Sequence, residues 1–233
     1  AYASVDFANP TGETLDLAAR QNILALADDL DCAVIEDAAY QSLRFDGDAI
    51  PPMLALEIMR KGSIEDCRTI YCGSFSKTLS PGLRVGWICA SKDVIGRLVL
   101  MKQAADLHSS TINQMAICHV AETMFDDHVA TIRDVYRTRR DAMLDALQTH
   151  MPKGVHWTKP EGGMFVWVTL PDHMNGADLL AQSLKSQRVA FVPGSAFYAD
   201  GSGTNTLRLS FSRADAPTIS EGIKRLGALI AAA

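Results

Sequence analysis

The sequence predicts an α/β fold followed by a smaller α+β unit. Three observations carry that expectation. An amphipathic helical stretch over residues 17–30 runs straight into a short apolar, β-forming run at Cys32-Ala33-Val34-Ile35. Two more such runs, Thr69 to Phe75 and Val85 to Ala90, flank a turn at Ser80-Pro81-Gly82. After Pro152 the character changes to short strands alternating with helices.

The elements follow in order. The chain opens on a short strand leading directly to Asn9, and the helix over 17–30 places Ile23, Leu26, Ala27 and Leu30 at the i, i+3, i+4, i+7 spacing of one apolar face. The runs at 32–35, 69–75 and 85–90 read as strands of one sheet. Val94 to Ala105 and Ile112 to Phe125 read as helices, and a longer helix, Asp127 to His150, carries Val129, Ile132, Val135, Tyr136, Met143 and Leu147 along one side. Beyond it come strands at Val155 to Thr158, Met164 to Leu170, Val189 to Val192 and Thr206 to Phe211, with helices near Ala177 to Gln187 and Ala216 to Leu229. The expected division is residues 1–134 and residues 135–233, with no repeat, low-complexity tract or flexible linker.

Composition narrows the partners. With 233 residues, 48% hydrophobic and 21% charged, the chain is long enough to bury one sizeable core or two modest ones. A net charge of -5 and a pI near 5.6 leave no basic surplus for nucleic acid or anionic lipid, so a small molecule is the expected partner. The five cysteines have no C-x-x-C spacing and the six histidines no H-E-x-x-H pattern, so neither disulfides nor a metal is expected and a reducing cytoplasm is the default compartment. No apolar run approaches the roughly 20 residues of a membrane helix, and the start lacks a charged segment followed by an apolar one. The first residue is not Met, and the chain reads as cut from something longer.

The strongest chemical signal is Gly73-Ser74-Phe75-Ser76-Lys77-Thr78-Leu79-Ser80-Pro81-Gly82-Leu83-Arg84-Val85-Gly86-Trp87. It gathers an amine, hydroxyls and a guanidinium between two strands, and an amine with a phosphate cradle is what pyridoxal phosphate (PLP) requires. Alone, the segment reads as well as a solvated loop, which is where most Lys and Arg sit. Two companions change the balance. Asn9-Pro10-Thr11-Gly12 is by itself only a turn before a helix. In Glu36-Asp37-Ala38-Ala39-Tyr40 a carboxylate sits at the carboxyl end of a strand, the edge where open α/β sheets bind ligands. A carboxylate there keeps a pyridine nitrogen protonated, which makes the ring an electron sink, and Tyr40 is placed to donate to the ring oxygen.

In this order, the motifs resemble those of class I and II aminotransferases of PLP fold type I. The likeness continues through Lys102 to His108, Pro160-Glu161-Gly162-Gly163-Met164-Phe165, Val192-Pro193-Gly194-Ser195-Ala196-Phe197 and Asn205 to Phe211, and is nearest to the 2-aminoadipate / kynurenine aminotransferase II branch. The resemblance implies an aspartate aminotransferase-like large domain incomplete at its N-terminus plus a small C-terminal α+β domain, PLP as cofactor, amino acid and 2-oxo acid substrates, and a homodimer. It implies Lys77 as the Schiff-base lysine and proton carrier, Asp37 on the pyridinium nitrogen, Asn9 and Tyr40 on the ring oxygen, Ser74, Ser76 and Arg84 on the phosphate, and Asn9 and Arg208 as substrate-binding residues, Arg208 gripping the α-carboxylate, a task suited to a planar bidentate fork.

Where that branch commonly has E-D-D-P-Y, this chain has Ala39 before Tyr40, which is expected to alter local packing while keeping Asp37. Met164 to Trp167 reads as core strand in preference to a ligand box. A PLP-dependent lyase on the same scaffold and the aminotransferase-like effector module of a transcription regulator are the alternatives. Asn9-Pro10-Thr11-Gly12 favours the enzyme.

Overall fold

In the computed structural model, which describes residues 1–232, the chain forms two compact units: Ala1–Asp6 with Thr14–Ile132, and Phe7–Glu13 with Arg133–Ala233. The division at 134 is thus interrupted by a strap, Phe7–Glu13, that belongs with the second unit.

The first unit is a four-stranded sheet in the order β1-β2-β3-β4, made of β1 (Tyr2–Ser4), β2 (Val34–Asp37), β3 (Thr69–Ser74) and β4 (Gly86–Cys89). The first three strands are parallel and β4 is antiparallel to β3, with Ser4 opposite Asp37 and Asp37 opposite Cys72. Helix α1 (Leu17–Asp29) starts where the Asp16 carboxylate accepts from the Ala19 N–H at 2.7 Å. Leu24 and Ala27 of this helix join Val5, Val34 and Met53 in a buried cluster. The expected apolar stripe is rotated, however: Leu26 and Leu30 are exposed, and the inner row instead begins with Arg20, which is fully buried. Its guanidinium forms an ion pair of 2.7 Å with buried Asp6 and donates to the carbonyls of Leu15 and Pro51. A charge this deep is tolerable only with such complete pairing.

Helix α2 (Met53–Lys61) is absent from the sequence expectation. It follows Pro51-Pro52 and has no side-chain cap of its own; the fully buried Glu36 carboxylate of β2 accepts from the N–H groups of Met53 (2.7 Å) and Leu54 (3.0 Å). Helix α3 (Lys92–Ala105) matches its expected span. The two helices expected at 112–125 and 127–150 are one, α4 (Thr111–His150), because no glycine or proline breaks the backbone at Phe125-Asp126-Asp127.

The second unit has a fully antiparallel sheet in the order β5-β6-β8-β7: β5 (His156–Trp157), β6 (Phe165–Thr169), β7 (Val192–Pro193) and β8 (Thr206–Ser210). The strand expected at 189–192 is displaced to Val192–Pro193, because α5 (Gly176–Gln182) continues as a π-helical turn through Gln187 and ends on Arg188 in the left-handed region. Helix α6 (Ala216–Ala231) is capped by Asp215 and buries Ile219, Ile223, Leu226 and Ile230, one face at helical spacing. The strap packs onto this unit. The Thr158 hydroxyl donates to the Thr11 carbonyl at 2.8 Å. Gly12 and Gly163, both at φ +73°, stand where an added Cβ would lie 2.5 Å from the Phe165 carbonyl oxygen and from Phe7 Cβ respectively.

Among the described residues no helix is long and apolar enough to cross a membrane.

Candidate active site

Within the first unit, six of the residues marked by the sequence lie in the segments that leave adjacent parallel strands. Asp37 ends β2, and Tyr40 follows in a turn that buries its ring. Ser74 ends β3, and the chain then winds through Phe75–Leu79, with the Phe75 carbonyl accepting from the N–H groups of Leu79 (2.9 Å) and Ser80 (3.1 Å). This wound turn carries Ser76 and Lys77. The Ser74 hydroxyl accepts from the Ser76 backbone N–H at 3.0 Å, which ties the end of β3 to the start of the turn. Lys77 Nζ lies 5.9 Å from the centre of the Tyr40 ring, which brings the amine to the turn after β2. Arg84 has left-handed backbone geometry (φ 55°), and its guanidinium folds back to donate to the Pro81 carbonyl at 3.2 Å. Asn113 of α4 holds the same turn by donating to the Leu83 carbonyl at 3.0 Å.

Both oxygens of Asp37 are engaged. Oδ1 accepts from the Ala39 backbone N–H at 3.1 Å, and Oδ2 accepts from the Tyr2 phenol. Tyr2 reaches it because β1 and β2 run in parallel register, Tyr2 opposite Ile35 and Ser4 opposite Asp37. The Tyr2 phenol is pushed up to about 12 by lost hydration, then by the hydrogen bond to Asp37 and that carboxylate's charge. Burial likewise raises the Cys72 thiol, with the Asp37 charge adding to it. Beneath this edge, burial lifts Glu36 above the ordinary carboxylate range against the opposing pull of the Met53 and Leu54 N–H groups.

The second unit holds the other two marked residues. Asn9 lies on the strap, after a residue pair whose Ala8 N–H and carbonyl close a loop with Glu13 (2.8 Å) and Gly12 (2.6 Å); the Asn9-Pro10 peptide is cis. Arg208 lies mid-strand in β8, opposite Trp167 of β6 and Val192 of β7, and donates from a terminal nitrogen to Asn9 Oδ1. Its guanidinium carbon sits 4.1 Å from the centre of the Phe165 ring and 5.0 Å from that of Phe197.

Sequence reasoning missed Tyr2, the Ala39 N–H, and the pairing of Phe165 and Phe197 around Arg208. The last was readable in part: residues 165 and 167 alternate onto one strand face, and Phe197 closes the Val192-to-Phe197 motif. Among the described residues no group of three or more His, Cys, Asp or Glu is arranged to hold a metal ion.

The family model described as aminotransferase class I and II matches residues 6–226. Aromatic-amino-acid aminotransferase 1 of Thermococcus litoralis is 42% identical over 230 residues, covering 98% of this chain and 53% of that protein. The 2-aminoadipate transaminase of Thermus thermophilus is 43% identical over 226 residues, 97% of this chain and 56% of its own length. Among solved structures, alpha-aminoadipate aminotransferase from Thermus thermophilus, complexed with N-(5'-phosphopyridoxyl)-L-leucine, superimposes with a TM-score of 0.93 at 41% identity over 99% of this chain and 58% of that one. The chain therefore spans about half the length of the curated relatives it matches.

Proposed function

The chain belongs to the class I and II aminotransferase family, and from that premise we propose that the complete protein is a PLP-dependent aminotransferase that moves an amino group between an α-amino acid and a 2-oxo acid by a ping-pong route. On this reading the first unit is part of the large PLP-binding domain and the second is the small domain. The protein works as a cytoplasmic homodimer in amino acid metabolism, in a biosynthetic process. What supports it most directly is the pairing, on neighbouring parallel strands, of a carboxylate that ends β2 with an amine in the turn after β3.

The donor set suits PLP. An aldehyde needs an amine, a pyridine nitrogen needs an anionic acceptor, a phosphate needs clustered donors, and this edge carries Lys77, Asp37, and Ser74 with Ser76 and Arg84. When bound, PLP supplies the aldehyde that takes up the amino group and the ring that accepts the electron pair released at the substrate Cα.

The chain's own residues do the rest. Asp37 holds the proton on the ring nitrogen, and two donors keep its carboxylate oriented for that bond. Tyr40 and Asn9 hydrogen-bond the ring oxygen. Ser74, Ser76 and Arg84 would hold the phosphate, Ser74 being tied to the backbone of Ser76 in the wound turn. Lys77 would hold the cofactor through Nζ and, as a free amine, would carry the proton taken from the substrate Cα. Arg208 takes the α-carboxylate that every substrate shares, which leaves side-chain choice to other contacts.

The test is the visible absorption of the protein expressed from its complete gene with PLP, beside Lys77→Ala. A band that depends on Lys77, is bleached by an amino acid and is restored by a 2-oxo acid is the expected result. A Lys77-dependent band that no amino donor bleaches would overturn the reading in favour of a regulatory module, and conversion to products other than a 2-oxo acid would favour a lyase.

A further inference from the structure

Arg208 is the sole charged residue of β8, and a guanidinium on a flexible stem does not by itself face any one direction. Its neighbours settle that. In the antiparallel pairing of β6 with β8, Trp167 stands directly opposite Arg208, so their side chains leave the sheet on the same face, and Phe165, two residues along, shares that face on the diagonal. The Phe165 ring centre is 4.1 Å from the guanidinium carbon. Phe197, from the turn after β7, brings its ring centre to 5.0 Å and meets the Trp167 ring edge to face, 5.8 Å between centres at 76°. The opposite face carries the buried Val166, Val168, Leu207 and Leu209, and on the Arg208 face Phe165 and Trp167 are buried as well.

We propose that Phe165 and Phe197 are positioning residues for substrate carboxylate binding: the two rings hold Arg208 so that a ligand meets the edge of its guanidinium fork and not its face, with Trp167 bracing Phe197. This rests on the reading of Arg208 as the carboxylate site. Ring faces attract the delocalised cation without competing for its N–H donors, whereas a carboxylate partner in the same place would consume them. Asn9, accepting from one terminal nitrogen, fixes the rotation of the fork within the plane that the rings define.

The consequence is specific. Loss of a ring frees the guanidinium to tilt, which weakens every carboxylate ligand alike and leaves the chemistry at Lys77 unchanged. In the complete PLP-loaded protein, Phe197→Leu and Phe165→Leu are each expected to raise KM about tenfold for both the amino acid and the 2-oxo acid, with kcat within about twofold. The dissociation constant of propionate, read from the change it causes in cofactor absorbance, is expected to rise by the same factor while the affinity for PLP stays near wild type; the melting temperature holds for Phe197→Leu and falls for Phe165→Leu, whose ring is buried. Phe197→Trp and Phe197→Tyr, which keep a ring face, restore all of these. Arg208→Lys separates the two layers of the argument. If it leaves propionate binding intact, Arg208 is not the carboxylate site and the clamp falls with it. If it abolishes binding while both leucine variants bind normally, or if the aromatic replacements at 197 fail to rescue, the carboxylate site stands and the clamp is wrong.

Discussion

The Ala39 backbone N–H donates to Asp37 Oδ1 at 3.1 Å, a bond that a proline at position 39 cannot make. The departure from E-D-D-P-Y therefore changes more than packing: this carboxylate has a donor on one oxygen from its own turn and the Tyr2 phenol on the other. Two donors, one on each oxygen, fix the plane of this carboxylate.

Ala39→Pro removes one of those donors. With hydrogen bonds to charged groups worth about 1.5–3 kcal/mol, cofactor binding by the complete protein is expected to weaken about tenfold. Ala39→Gly, which keeps the N–H, is expected to bind PLP as the parent does. Titration of the apoprotein with PLP measures both, and equal affinity for the proline variant would show that Asp37 needs no help from its turn.

Two of the five tyrosines, Tyr2 and Tyr71, are pushed up to about 12. For both, lost hydration of the phenol is the first cause, although Tyr2 as a whole residue is 67% exposed. The second is the hydrogen bond to Asp37 for Tyr2 and the charge of Glu36 for Tyr71. In the unfolded chain a tyrosine ionises near 10, so between the two values the unfolded state has lost protons that the folded state keeps. Stability is full below pH 10 and is lost as pH rises toward 12. Urea melts across that range are expected to show a fall that Tyr2→Phe reduces and that Tyr2→Phe with Tyr71→Phe reduces further. An unchanged alkaline slope in the double variant would place the titrating groups elsewhere.

Glu36 joins β2 to α2 over 17 residues of sequence, its two oxygens taking the N–H groups of Met53 and Leu54. Glu36→Ala leaves both donors buried without an acceptor and removes the only side-chain cap that helix has, and is expected to destabilise the protein by about 2–4 kcal/mol. Circular dichroism against urea gives the value. Asp37 is the next residue, so PLP affinity is expected to fall with it; a stability change below about 0.5 kcal/mol would mean water replaces the carboxylate at this site.

That cap also explains what the sequence did and did not disclose. Helix α1 was legible from the spacing of its apolar residues, although its buried face is rotated from the one that spacing marks. Helix α2 was not, since its cap sits on a strand far back in the chain. The run 112–150 read as two helices because Asp126 and Asp127 interrupt its apolar face, whereas the backbone needs a glycine or proline to stop. Lys77, Asp37 and Asn9 stood out because each lies in a motif with its own local order. Tyr2 acts through strand register, of which spacing along the chain carries no record, and for Phe165 and Phe197 the alternation of β6 discloses the shared face but not the distant turn that completes it.

The strap that presents Asn9 depends on two glycines for two independent reasons. Both Gly12 and Gly163 sit at φ +73°, where a side chain is strained whatever the space around it. Each also lacks room: a Cβ at 163 would lie 2.5 Å from Phe7 Cβ, and one at 12 would lie 2.5 Å from the Phe165 carbonyl oxygen, a backbone atom of β6 that cannot rotate away. Strain of this kind costs about 1–3 kcal/mol before the clash is counted, so Gly12→Ala and Gly163→Ala are both expected to be damaging, Phe7 Cβ being as firmly tied to its backbone as the Phe165 oxygen is. Because Asn9 lies between Phe7 and Gly12, displacement of the strap breaks its bond to Arg208. Gly163→Ala is thus expected to raise KM for amino acid and 2-oxo acid together and to weaken PLP binding through loss of the Asn9 contact. Melting curves and steady-state kinetics on the complete protein separate these outcomes: loss of stability with unchanged KM would show that the strap serves folding alone and that Asn9 contributes nothing to carboxylate binding.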